Sequence, residues 1–211
     1  MKHTSPVRPG DAGFAARLRR EVEGDVLFDA ASRGRYATDA SIYQIDPVGV
    51  VVPRSENDVA AAIAIAREAG VAVLPRGGGT SQCGQTVGEA LVVDVSRHLD
   101  RVLEVDREGQ RVRVQPGVVL DDLNVSLRPD GLFFPVDVST ANRATLGGMA
   151  GNNSCGSRSV RYGNMVHNVL GIDAILSDGE KVSFGEVGGN LEGIAAGRRY
   201  REIDRKSTRL N

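Results

Sequence analysis

The sequence predicts an α+β fold in two lobes: a small βαβ lobe, then a larger lobe with a mainly antiparallel sheet and flanking helices. Three observations carry this. Residues 48–52 and 71–74 are short apolar runs on either side of a helical pattern that opens at Ser55 and closes at Gly70, the texture of strand, helix, strand. Beyond Ala90 the apolar runs 91–95, 102–105 and 111–114 succeed one another without a helix between them, and 171–176 with 181–184 repeats the pattern, which implies hairpins. Two glycine-rich stretches without periodicity, 75–85 and 135–163, interrupt these elements where a binding loop would sit.

Taken in order, the chain opens with an amphipathic helix over 14–26, whose apolar positions Phe14, Leu18 and Val22 share a face while Arg17, Arg19, Arg20 and Glu21 turn to water. Tyr36, Thr38, Asp39 and Ser41 form a polar stretch that reads as simple connection. Residues 48–52 are β-branched and fully apolar, a buried strand closed by Pro53. Ser55 caps the next helix with Asp58 three residues on. Val59, Ile63, Ala66 and Ala69 supply its buried stripe, and Gly70 ends it. The resulting right-handed βαβ unit carries its ligand beyond the strand ends, which is where the first glycine stretch lies. In the second lobe, Glu108 and Gly109 turn one hairpin, residues 119–127 form a short helix, and Asp178 with Gly179 makes a two-residue turn in the last hairpin. The expected boundaries are a helical extension over 1–42, lobe 1 over 43–90 and an incomplete lobe 2 over 91–184. The tail, 185–211, reads as irregular, either truncated or foreign, because its Gly- and Arg-rich sequence has no packing pattern.

Composition removes several classes of function. With 26 basic against 27 acidic residues the net charge is −1, so no field exists to hold nucleic acid or an anionic membrane. Aromatic residues are 4% with no tryptophan, which leaves no stacking platform for single strands. No apolar stretch has the length of a transmembrane segment and residues 1–11 lack a signal-peptide core. Cys83 and Cys155 form neither a C-x-x-C pair nor a disulfide framework. The chain reads as cytoplasmic, with peripheral attachment to the inner face of the membrane as the alternative. None of His3, His98 and His167 has a metal-ligand neighbour at useful spacing; His98 reads as solvated and the two cysteines as buried packing.

The first glycine stretch reads P-R-G-G-G-T-S-Q-C-G-Q from Pro75 to Gln85. Bare backbone N–H groups with short hydroxyls make a cradle for a phosphate or pyrophosphate, and a flexible surface turn is the alternative. Two familiar phosphate loops fail here. Gly79 to Thr86 has the P-loop spacing but places Gln85 where a lysine is needed, and the dinucleotide fingerprint would need glycine at Gln82. In the second stretch Thr145 caps a short helix through Gly147 and Gly148, and Asn152, Asn153, Ser154 and Gly156 supply polar partners on a sharply turning chain. A binding loop and a linker are the competing readings.

These two stretches, with N-N-S-C-G at 152–156 and R-Y-G at 161–163, resemble the FAD-binding segments of the vanillyl-alcohol oxidase and p-cresol methylhydroxylase (PCMH-type) superfamily. Within it they look closest to flavin-dependent D-2-hydroxy-acid dehydrogenases: D-lactate dehydrogenases, the glycolate oxidase flavin subunit and D-2-hydroxyglutarate dehydrogenases. The likeness covers about residues 36–184. It implies a PCMH-type FAD-binding domain in which Pro75, Arg76, Gly77, Gly78, Gly79, Thr80, Ser81, Gly84 and Gln85 form the pyrophosphate loop. By the same resemblance Pro135, Asp137, Gly147, Gly148, Asn152, Ser154, Gly156, Tyr162 and Gly163 line FAD from the other lobe, and Ile172 lies near the adenine. Residues 76–85 contain no histidine, so the implied attachment is non-covalent. The family also implies hydride transfer from a small 2-hydroxy acid to FAD, a substrate lobe that would follow this chain, and a quinone, cytochrome or iron–sulfur domain as electron acceptor. The alternatives are the FAD domain of another oxidase or of a cell-wall precursor reductase, or a non-catalytic nucleotide-binding module.

Overall fold

A computed structural model describes residues 6–187 and 196–207. Its first lobe is a four-stranded sheet in the order β1-β2-β4-β3, comprising β1 (Asp25–Leu27), β2 (Gly49–Val52), β3 (Val73–Arg76) and β4 (Leu91–Asp94). β1 runs antiparallel to β2, whereas β2, β4 and β3 are parallel with Val50 and Leu74 both opposite Val92. Every residue of β2 and β4 is buried. Alternate side chains serve two faces: Val51, Leu91 and Val93 meet α1 (Ala12–Glu21) and α3 (Glu56–Ala69), while Val50, Val52 and Val92 pack with Leu74 and Tyr36 of α2 (Ala30–Tyr36).

Leu91–Asp94, expected to open the antiparallel lobe, is instead the strand between β2 and β3. Its unbroken apolar run suits a parallel strand covered on both faces. The connection from β3 to β4 is therefore residues 77–90, a crossover without a helix that exceeds the roughly dozen residues a parallel link needs. The glycine loop is that crossover. It leaves the C-terminal end of one strand and returns along its neighbour.

The N-terminal segment is part of lobe 1 rather than an appendage. Phe14, Ala15 and Leu18 enter the core beside Ala62, Ile65 and Ala66, and Val26 pairs with Val51. The helix expected over 14–26 stops at Glu21 because Gly24 lies against Val52, whose carbonyl occupies the place of a Cβ. In α3 Ser55 accepts from the Asp58 N–H and Gly70 takes the left-handed cap. Asp58, 3% exposed, does more than complete that cap. Its carboxylate accepts the backbone N–H groups of Glu23, Gly24 and Arg54 at 3.0, 3.1 and 2.8 Å.

Lobe 2 holds two hairpins, β5 (Val102–Asp106) with β6 (Arg111–Val114) and β7 (Gly171–Ile175) with β8 (Lys181–Gly185). They are separate two-stranded sheets bridged by an Arg113–Asp173 ion pair. A second core of Leu120, Leu123, Leu127, Val136, Leu146, Met149 and Met165 joins α4 (Leu120–Leu127), α5 (Leu146–Gly151) and α7 (Met165–Asn168), with α6 (Ser159–Tyr162) beside it. The β7–β8 turn is a three-residue loop rather than two: Leu176 still donates to the Glu180 carbonyl, and Gly179 at φ +86° donates back to Leu176. The expected irregular tail contains α8 (Gly197–Ser207). Tyr200 fixes it by packing edge-on to Phe184 and exchanging hydrogen bonds with the backbone of Gly185, while Arg199 pairs with Asp178 and Glu180. Residues 188–195 and 208–211 of that tail lie outside the described residues.

Candidate cofactor site

The glycine loop lies on lobe 2. A Cβ on Gly77 would overlap the Thr145 side chain, and one on Gly78 would overlap the Arg143 carbonyl, so the two bare positions let segment 143–145 close against the loop. Gly79 then reverses the chain at φ +64°, a conformation costly for any residue with a Cβ. The backbone N–H groups from Gly77 to Gln82 have no acceptor among the described residues. Thr80 and Ser81 are half-buried beside them, and Ser81 donates to the Gln85 side chain. Pro75 is exposed on β3 opposite Val93. Arg76, the last residue of β3, turns back to the carbonyls of Tyr36, Thr38 and Thr86.

Facing this loop, Thr145 is 2% exposed and accepts the Gly148 N–H at 3.4 Å. Gly147 sits against Pro116 at 2.6 Å from the position a Cβ would take, so its bareness serves chain packing, while Gly148 is exposed. A hydrogen bond crosses between the loops, from Gln85 Nε2 to Asn152 Oδ1 at 3.1 Å, and Asn152 in turn donates to Ser154 Oγ. The structure thus brings Gly77 to Gln85 together with Thr145, Gly148, Asn152 and Ser154.

The other predicted residues form separate groups. Asp137 accepts from the Ser157 hydroxyl at 2.6 Å and the Arg158 N–H at 2.8 Å, and Gly156 lies against its carbonyl. The Ser157 hydrogen bond, then that of Arg158, holds the Asp137 carboxyl below the usual carboxylate range. Pro135 is half-buried two residues before it. Tyr162 packs edge-on to Phe133 with the Arg161 guanidinium over its ring, and Gly163 at φ +77° ends α6 against His167. Ile172, 47% exposed, lines with Gly147, Met165 and Val169 a groove of about 760 Å³ between the hairpins.

Sequence reasoning missed the roof of the loop. Residues 36–41, expected to be plain connection, fold over it together with Tyr43: Asp39 accepts from Thr86 Oγ1 at 2.9 Å and Tyr43 covers Gly84. Beneath, the Tyr36 hydroxyl donates to Asp94 at 2.6 Å. Burial first, then that bond, pushes the phenol far above its usual value. The one available signal was the density of hydroxyls and a carboxylate just before a buried strand. Cys83 and Cys155, expected to be buried packing, are both exposed because they ride on these polar loops. His98, expected to be solvated, is half-buried, and its Nε2 has no partner among the described residues.

The donor set fits a pyrophosphate. It consists of backbone N–H groups, two hydroxyls and side-chain amides, neutral donors that suit an oxyanion. The helix start at Thr145 adds no free donor, because the Leu146, Gly147 and Gly148 N–H groups donate to the Val118 and Pro116 carbonyls and to Thr145 Oγ1. The family described as FAD binding domain matches residues 47–185. The chain belongs to the FAD-binding-domain family. Over 160 residues this FAD-binding domain is 46% identical to the D-2-hydroxyglutarate dehydrogenase of Pantoea ananatis, a match that covers 74% of this chain and 16% of that protein. It is 35% identical over 181 residues to the glycolate oxidase subunit GlcD of Bacillus subtilis, covering 84% of this chain and 38% of that one. Among solved structures, an alkyldihydroxyacetonephosphate synthase superposes with a TM-score of 0.76 at 22% identity over 93% of this chain and 38% of that chain. The 6-hydroxy-D-nicotine oxidase of Arthrobacter nicotinovorans gives 0.68 at 22% identity over 78% and 36%. These structural likenesses establish the PCMH-type fold alone. The FAD-binding domain thus spans less than a fifth of the dehydrogenase it matches and under two fifths of GlcD.

Proposed function

We propose that this chain is the FAD-binding part of a flavin-dependent oxidoreductase that oxidises a D-2-hydroxy acid of the lactate, glycolate or 2-hydroxyglutarate type. The observation that carries the reading is the run of Gly77–Gln82 backbone donors without an acceptor among the described residues, held against lobe 2 at Arg143 and Thr145. When bound, FAD supplies a hydride acceptor for the substrate Cα–H. The chain's own residues bind and orient. Gly77 to Ser81 would hold the pyrophosphate, Gly148 would line FAD from the other lobe, Gln85 and Asn152 would close over it from either loop, and Ile172 would bound the adenine end. The 2-hydroxy acid would be taken by chain beyond this domain, and the electrons would pass on to a quinone, cytochrome or iron–sulfur partner. No described helix is long and apolar enough to cross a membrane.

The attachment follows from the nucleophiles available. Residues 76–85 contain no histidine, and Cys83 and Cys155, the other nucleophiles on these loops, would each need a basic neighbour to form a thiolate readily, so FAD is expected to be held without a covalent bond. Purified chain incubated with FAD and passed through a desalting column should emerge yellow, and acid precipitation should leave the flavin in the supernatant. A folded chain that stays colourless in excess FAD overturns the cofactor reading, and a yellow acid pellet overturns the mode of attachment.

A further inference from the structure

We propose that Arg76 is a positioning residue, whose guanidinium locks the glycine loop in its donor-presenting shape instead of touching the pyrophosphate. Nη1 donates to the carbonyls of Tyr36 at 3.2 Å and Thr86 at 3.1 Å, and Nη2 donates to that of Thr38 at 2.8 Å. Thr86 stands at the far end of the loop and Arg76 at its start, so one side chain ties both ends together and joins them to the roof. The guanidinium also lies 5.3 Å from the centroid of the Tyr36 ring. From the loop side Gly79 presses on it: a Cβ there would lie 2.5 Å from Nη2 and 3.0 Å from Cζ. Among the described residues Arg76 makes no ion pair, so the carbonyl fork is its tether.

A planar fork with five donors can serve three carbonyls in different directions at once, and a lysine ammonium on a flexible stem cannot hold the same geometry. Without the tether, residues 77–85 must be ordered at the moment of binding, and affinity falls by that cost. The inference rests on the loop being the FAD site.

The test uses the full 211-residue chain as wild type, Arg76→Lys, Arg76→Met and Gly79→Ala, with FAD titrated by flavin fluorescence and backbone hydrogen exchange read by segment. Gly79→Ala keeps the arginine but drives a methyl onto its guanidinium. All three variants should lose about tenfold or more in FAD affinity. Their exchange should quicken at Ala37 and Ile45, whose N–H groups donate to the Gly34 and Ala37 carbonyls in the roof that Arg76 tethers, while β2 and β4 stay protected. Full affinity in Arg76→Lys would show that charge alone suffices and would overturn the proposal. So would unchanged exchange at Ala37 and Ile45 in the variants, or quickening spread over the whole sheet, which marks a merely structural residue. If wild type binds no FAD, the cofactor reading fails, and the exchange pattern still decides whether Arg76 locks the loop.

Discussion

Gly78 shows how much one missing side chain decides. The direction its Cβ would take is filled by the Arg143 carbonyl, a rigid backbone atom that cannot swing aside. Gly78→Val is therefore expected to lift the loop off lobe 2 and move its N–H groups away from segment 143–145. FAD affinity should fall by about a hundredfold, some 2.7 kcal/mol, with the far-ultraviolet circular dichroism nearly unchanged. Unaltered flavin occupancy in a folded variant would remove this loop from the site. The three consecutive glycines made the loop visible in the sequence as a cradle for a ligand. The partner at Gly77 and Gly78 is the second lobe of the same chain, and nothing in the local pattern could distinguish that contact from one with a ligand.

Among the elements, α3 was legible from end to end, because Ser55 and Gly70 satisfy helix termini by purely local geometry. What Asp58 does was not. Its carboxylate reaches back to the turn between α1 and β1 and ties the N-terminal segment to the helix start through Glu23, Gly24 and Arg54. Asp58→Ala would leave those donors without their acceptor in a buried place, with an expected loss of about 3 kcal/mol in unfolding free energy. A urea titration checks it, and a shift of a few tenths of that would mean that solvent replaces the carboxylate. β4 was seen as a strand but given to the wrong sheet. Its apolar run says only that both faces are covered, and pairing with β2 and β3 is settled by the crossover loop, a long-range connection. The helical tail was missed for a related reason: its hold on the protein comes from Tyr200 and Arg199 meeting the β7–β8 hairpin, not from a pattern of its own.

For the molecule as a whole, the expected result is binding without turnover. Around the glycine loop the described groups that could take a hydroxyl proton are already engaged: the Tyr36 phenol is held protonated by burial and by its bond to Asp94, that carboxylate also accepts from the Ser96 N–H and hydroxyl, and the Asp39 carboxylate accepts from the Thr86 hydroxyl and the Ser41 N–H. The chain loaded with FAD should keep its flavin oxidised under anaerobic conditions with D-lactate, glycolate or D-2-hydroxyglutarate. Bleaching by any of them would place a working base within this chain. Sequence alone determined the two-lobed α+β class, the place of both glycine-rich loops and the kind of donors they offer, because glycine runs, caps and apolar periods act through neighbouring backbone. Tertiary structure decided which lobe owns β4, that Arg76 faces three carbonyls, that residues 36–45 roof the loop and that Gly77 and Gly78 receive lobe 2. Each of these is a contact between residues far apart in the chain, set by how the elements pack and carried by no local signal.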